Sequence, residues 1–137
     1  MSAGYGPMMW HQVEDLLKQM AKESWDAEIC GYIAGHRGES AGAGIGGYYV
    51  YPIKNAHTNP DHNYLMSNLD QARAFDDMGQ WNLRLVGAYH THPSRSTSPS
   101  RDDIHAWRYP QEFWMVIATD QEVKVWVYDG EQLKEAP

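Results

Sequence analysis

Cysteine is almost missing from this chain: Cys30 stands alone among 137 residues. No internal disulfide can form, so a reducing compartment, the cytoplasm, is the expected setting. Aliphatic residues are scarce too. Ile, Leu, Val and Phe supply 22 of the 137 residues, a share below the roughly 20% at which disorder becomes a concern. That concern also requires a high net charge, and −7 over the whole length is modest. Six Trp, nine Tyr and seven Met offer bulky side chains that can fill a core instead. No apolar run approaches the ~20 residues of a membrane span. The first ten residues lack the basic cluster and apolar stretch of a secretory leader. No block of Lys or Arg is present, which argues against phosphate-driven nucleic-acid binding. What remains is one globular domain over residues 1–137, its core at about 10–128 and a loose tail at 129–137.

The elements follow from periodicity and punctuation. Trp10, Val13, Leu16, Leu17 and Met20 recur at helical spacing and predict an amphipathic helix over 10–23. Residues 28–34 are short, apolar and bounded by Gly35, as a buried strand is. Glycines at 42–47 lead into an aromatic and β-branched strand at 48–53. Ser67 with Asp70 makes a capping box, opening a second helix to about Gln80 with Leu69, Ala72 and Phe75 on its apolar face. Residues 83–92 read as a strand stopped by Pro93. Ser98-Pro99 reads as cap and first residue of a short helix to about Trp107. Strands at 112–118 and 122–128 close the chain, with Val123, Val125 and Val127 sharing a face. The order αββαβαββ predicts a mixed α/β domain, with helices flanking a curved, mostly antiparallel sheet.

Chemistry concentrates in Tyr89-His90-Thr91-His92-Pro93 and Ser100-Arg101-Asp102-Asp103. Residues i and i+2 of a strand share a face, so His90 and His92 can converge on one ion. Imidazole suits zinc, and Asp103 can complete a three-ligand set that leaves a position for water. Each piece has a plainer reading: Ser100-x-x-Asp103 is also a capping box, and His-x-His alone is weak. The joint spacing is more specific, with seven residues between His92 and Ser100.

That pattern resembles the zinc motif of the JAMM/MPN+ metalloproteases. The family places a glutamate upstream in a Glu-x-Cys-Gly context, and Glu28-Ile29-Cys30-Gly31 is similar to it. Tyr51 to Asn55 resembles the family's second strand and following Asn, and Leu85 to His90 its strand into the ligands. The likeness runs from about 10 to 128 and is closest to the small prokaryotic branch acting on ubiquitin-like sulfur-carrier conjugates. It implies one Zn²⁺ per chain held by His90, His92 and Asp103, Glu28 as general base, and Ser100 as hydrogen-bond donor to the oxyanion. It also implies a cytoplasmic isopeptidase that cuts after the Gly-Gly tail of a carrier protein. Thr91 stands where relatives often have Ser, and Asp26-Ala27 precede Glu28 where many carry Pro.

Two alternatives stay open at this stage: a zinc amidohydrolase acting on another peptide, cell-wall or phage-related, and a non-catalytic MPN scaffold. Cys30 reads as buried filler, Asp102 as a solvated first-turn acid and His105 as a surface residue. His11, His36, His57 and His62 have no ligand-like spacing. Gly42 to Gly47 matches G-x-G-x-x-G but precedes a strand rather than opening a helix, so a dinucleotide site is excluded.

Overall fold

The computed structural model describes residues 4–36, 47–60, 64–93, 96–107 and 113–136. Most of the Gly42–Gly47 stretch, His62 and the first residue of the expected 112–118 strand lie outside them. Ten elements follow in order: β1 (Tyr5–Met8), α1 (Trp10–Glu23), β2 (Cys30–His36), β3 (Tyr48–Ile53), α2 (Asn68–Gln80), β4 (Leu83–Thr91), α3 (Arg101–Ala106), β5 (Trp114–Ala118), β6 (Val123–Tyr128) and β7 (Leu133–Glu135). The strands make one sheet in the order β1-β3-β2-β4-β5-β6-β7. Every pairing between them is antiparallel except β4 with β5. The predicted mixed α/β class and mostly antiparallel sheet are what the chain forms.

Alternation along the strands sends side chains to two faces, and a helix covers each. On one face Ile33, Val50, Val86, Tyr89, Val116 and Ala118 meet Val13 and Leu17 of α1. On the other, Cys30, Tyr32, Ala34, Tyr51, Ile53 and Ala88 meet Ala74 and Met78 of α2. Aromatics do replace aliphatics in this core: Tyr32, Tyr51 and Tyr89 are among its largest fully buried side chains. Gly31 is required by that substitution, because a Cβ there collides with the Tyr89 ring and the Tyr51 carbonyl.

Five expectations need correction. Strand β1 precedes α1, hidden in the sequence by Gly6-Pro7, which reads as a turn; proline is tolerated because β1 is an edge strand. The expected loose tail contains β7, joined to β6 by a hairpin in which the Asp129 carboxylate accepts from the Glu131 and Gln132 amides, both at 2.9 Å. Strand β2 starts at Cys30, so Glu28 stands just ahead of it rather than inside. Helix α3 is capped by Ser100, not Ser98, and its first helical residue is Arg101, not Pro99. On α2 the predicted stripe faces outward, with Leu69 59% and Phe75 45% exposed, while Ala74, Asp77 and Met78 are buried. Asp77 can be inside because the Tyr51 hydroxyl donates to its Oδ2 at 2.6 Å.

Candidate metal centre

Strand β4 ends in the middle of the sheet, with β2 on one side and β5 on the other. His90 is opposite Cys30 on β2 and Ile117 on β5. The His92 amide extends the ladder one step further, donating to the Ala118 carbonyl at 3.1 Å. The two imidazoles therefore rise from a rigid backbone on the same face, both buried. Their Nε2 atoms are 3.0 Å apart.

The third donor comes from α3. A true capping box forms there: the Asp103 amide donates to Ser100 Oγ at 3.0 Å and the Ser100 amide to Asp103 Oδ2 at 2.8 Å. That box fixes the carboxylate so that the same Oδ2 lies 3.0 Å from His90 Nε2 and 2.9 Å from His92 Nε2. The capping box and the approach of Asp103 to both imidazoles are thus parts of one geometry. Because Ser100 Oγ accepts in the cap, its O–H remains to donate elsewhere.

Three donor atoms mutually about 3 Å apart fit around a small cation with bonds of about 2 Å, and two nitrogens with one carboxylate oxygen suit zinc. The orientation of His92 is set from behind: its Nδ1 is 2.7 Å from the Ser96 carbonyl, which can only accept, so Nδ1 carries the proton and Nε2 is left for a ligand. The His90 ring stacks on Tyr64 with centroids 4.7 Å apart. Burial pushes the His90 pKa down despite the Asp103 carboxylate beside it. Burial opposes charge on His92 as well, but the hydrogen bond and charge of Asp103 prevail and its pKa rises. Burial would raise Asp103, yet hydrogen bonds from both histidines hold it far below the carboxylate range. The Asp103 carboxylate is therefore held in its ionised form beside the two imidazoles.

Glu28 is 6% exposed, and one of its carboxylate oxygens lies with the two histidine nitrogens in a group spanning no more than 4.8 Å. Its backbone is clamped: its amide donates to the Pro60 carbonyl at 2.6 Å, and Asn55 Nδ2 donates to its carbonyl at 2.9 Å. Thr91, which stands where relatives often have Ser, ties the two halves of the site together. Its Oγ1 accepts from the Ile29 amide at 2.9 Å and its amide donates to the Ile29 carbonyl at 2.9 Å. Strand alternation sends Thr91 to the face opposite the two histidines, where its Oγ1 meets the segment leading into β2.

Other candidates stay apart. Asp102 and His105 are exposed on α3. His36 lies 3.5 Å from the Tyr49 hydroxyl, and His57 Nδ1 accepts from the Asn59 amide at 2.9 Å. The Cys30 thiol is buried, donates to the Ile53 carbonyl at 3.4 Å, and is pushed up to about 12 by burial and by Glu28. It stays protonated and unreactive at neutral pH.

A two-layered helical wrapping of a mostly antiparallel sheet, with two histidines and a carboxylate converging where the central strand ends, defines a mixed α/β domain built around one candidate metal centre. The chain belongs to the prokaryotic homologues of the JAB domain, within the JAMM/MPN group; that family's model matches residues 11–129. It is 24% identical over 117 residues to a desampylase of Pyrococcus furiosus, covering 85% of this chain and 76% of that one. It is 33% identical over 73 residues to a probable TtuB-protein conjugate cleaving protease of Thermus thermophilus, covering 52% of this chain and 47% of that one. The fold is similar to the solution structure of a protein from Desulfitobacterium hafniense, with a TM-score of 0.72 at 22% identity, over 93% of this chain and 87% of that one. No helix among the described residues is long and apolar enough to cross a membrane.

Proposed function

We propose that this chain is a zinc isopeptidase that hydrolyses the amide bond after the Gly-Gly tail of a ubiquitin-like or sulfur-carrier protein. The observation that carries the reading is the triangle of His90 Nε2, His92 Nε2 and Asp103 Oδ2, with Glu28 buried beside it. The names of the two relatives, a desampylase and a conjugate-cleaving protease, support the substrate class. His90, His92 and Asp103 would hold one Zn²⁺. Zinc in such a site supplies Lewis acidity and brings the pKa of water down to around 7.

The protein's own groups do the rest. Glu28 takes the proton of the attacking water and delivers it to the leaving amine, a lysine side chain or a free amino acid. Ser100 donates its O–H to the carbonyl oxygen as negative charge builds there. Glycines at the tail let the substrate backbone come close to the buried centre. No acyl-enzyme forms, in keeping with the protonated, buried Cys30. The products are a carrier carboxylate and an amine.

The test is a zinc-loaded protein offered conjugates of small Gly-Gly-ended carrier proteins, with Glu28→Gln beside it. Cleavage by the native chain and at least a hundredfold loss in Glu28→Gln, with zinc still bound, is the expected result. Full activity of Glu28→Gln overturns the role of Glu28. Zinc binding without cleavage of any carrier conjugate favours another peptide substrate, and a chain that takes up no zinc favours a scaffold.

A further inference from the structure

Strand β6 reaches the metal centre without contributing a ligand. The valines at 123 and 125 pack into the core cluster beneath α1, so Trp126 points to the opposite face, the one on which the histidines stand. An indole N–H shielded from water needs an acceptor. Here Nε1–H donates to the Thr97 carbonyl at 2.8 Å, and Thr97 itself is 4% exposed. Its Oγ1–H donates in turn to Glu122 Oε1 at 2.7 Å, just ahead of β6. Glu122 is fixed by its own turn, its amide on Thr119 Oγ1 at 3.2 Å and its carbonyl on the Thr119 amide at 2.9 Å. Thr97 is thus held through its backbone and its side chain by one rigid strand and the turn before it.

The neighbouring residue is Ser96, whose carbonyl faces His92 Nδ1 at 2.7 Å. We propose that Trp126 and Thr97 are positioning residues for His92: they hold the Ser96 carbonyl in place, and through it the tautomer and ring orientation that present Nε2 to the metal. The inference rests on reading the cluster as a metal centre. It assigns to β6 a task that none of the candidate site residues performs. Neither residue belongs to the candidate ligand set, so the effect is expected first in metal affinity and ligand geometry.

The experiment measures zinc affinity by competition with a chromophoric chelator, and the visible spectrum of the cobalt-substituted protein, for six chains. Trp126→Phe removes the N–H along with part of the indole, and Thr97→Val exchanges the hydroxyl for a methyl, so the Thr97 pair isolates the hydrogen bond from the loss of volume. Thr97→Ser and Glu122→Gln keep the donor and the acceptor, while Glu122→Ala deletes the acceptor. The native chain is the reference. Loss of such outer partners costs about tenfold or more in metal affinity. Trp126→Phe and Thr97→Val are expected to weaken zinc binding by about tenfold and shift the cobalt spectrum. Thr97→Ser and Glu122→Gln are expected to remain near native, with Glu122→Ala in between.

Native affinity and an unchanged cobalt spectrum in both Trp126→Phe and Thr97→Val overturn the proposal while leaving the metal reading intact. A native chain that takes up neither ion overturns both. Melting of the metal-free proteins provides the folding control. If Trp126→Phe does not fold, the Thr97→Val and Thr97→Ser pair decides, because restoration by Ser is what positioning requires and what general destabilisation does not produce.

Discussion

At the scale of single residues, the centre is held by short polar contacts from outside it. The Ser96 carbonyl accepts from His92 Nδ1–H, the Ser100 cap steadies Asp103, and Thr91 latches the segment beside Glu28 to β4. Thr91→Val keeps the shape and removes the latch. It is expected to cost about 1–2 kcal/mol of stability by leaving the Ile29 amide short of a partner, and to lower turnover more than zinc affinity, because Glu28 rather than a ligand loses its support. Thr91→Ser should restore both, and chemical denaturation with steady-state kinetics reads the two effects. Metal retention depends on the histidines being unprotonated. His92, with its raised pKa, is the first to take a proton as pH falls, so zinc occupancy should drop below about pH 6. Dialysis at a series of pH values followed by metal analysis checks this; full occupancy at pH 5 contradicts it.

Cys30 gives a prediction of the opposite sign in pH. Its ordinary value is 9.0 and burial raises it to about 12 in the folded chain. A folded pKa above the unfolded one means that the contribution is complete below pH 9 and is lost as pH climbs toward 12. Native protein at pH 8 should resist thiol alkylation and keep its activity, whereas unfolded protein reacts. The fall in melting temperature above pH 9 should be shallower in Cys30→Ala than in the native chain.

At the scale of elements, Gly31 shows how an aromatic core constrains its strands. Gly31→Ala sets a methyl against the Tyr89 ring and the Tyr51 carbonyl, and overpacking of this kind costs about 1–3 kcal/mol. Thermal denaturation should show a drop of several degrees with zinc occupancy retained in the folded fraction. Helix α1, strand β3 and the Ser67 cap of α2 were legible in the sequence because local periodicity and tertiary burial agree there. They disagree in α2, where Leu69 and Phe75 invited one face and the Tyr51–Asp77 hydrogen bond made another one the inside. Strand β1 contains a Gly-Pro pair, and β7 is three residues with two charges, so neither has a strand-like composition; pairing to a neighbour creates them. The Asp129-Gly130 pair was the one available sign of the last hairpin.

On the same scale, the convergence of His90, His92 and Asp103 was readable because strand alternation and a capping box are local geometries. The supports were not. Thr97, Trp126 and Asn55 reach the centre across 29 and 27 positions of chain, as Trp126 to Thr97 and Asn55 to Glu28. No periodicity in one sequence encodes such distances. Trp126 looked like one more core aromatic until its N–H found a carbonyl.

At the scale of the whole molecule, the one parallel pairing in this sheet, β4 with β5, has a consequence of its own. Parallel neighbours cannot be joined by a tight turn, so the chain must make an excursion from the end of β4 back to the start of β5. His90 and His92 stand where that excursion departs, and Asp103 lies within it on α3. An ion shared by these three would fasten the excursion to its point of departure, converting binding energy into loop-closure entropy the chain would otherwise have to find elsewhere. Chelation should therefore accelerate amide exchange in residues 96–107 well before it reaches β2, β3 or α1. If that fastening is lost, limited proteolysis of the chelated chain is expected to cut around α3 before it reaches the strands of the core.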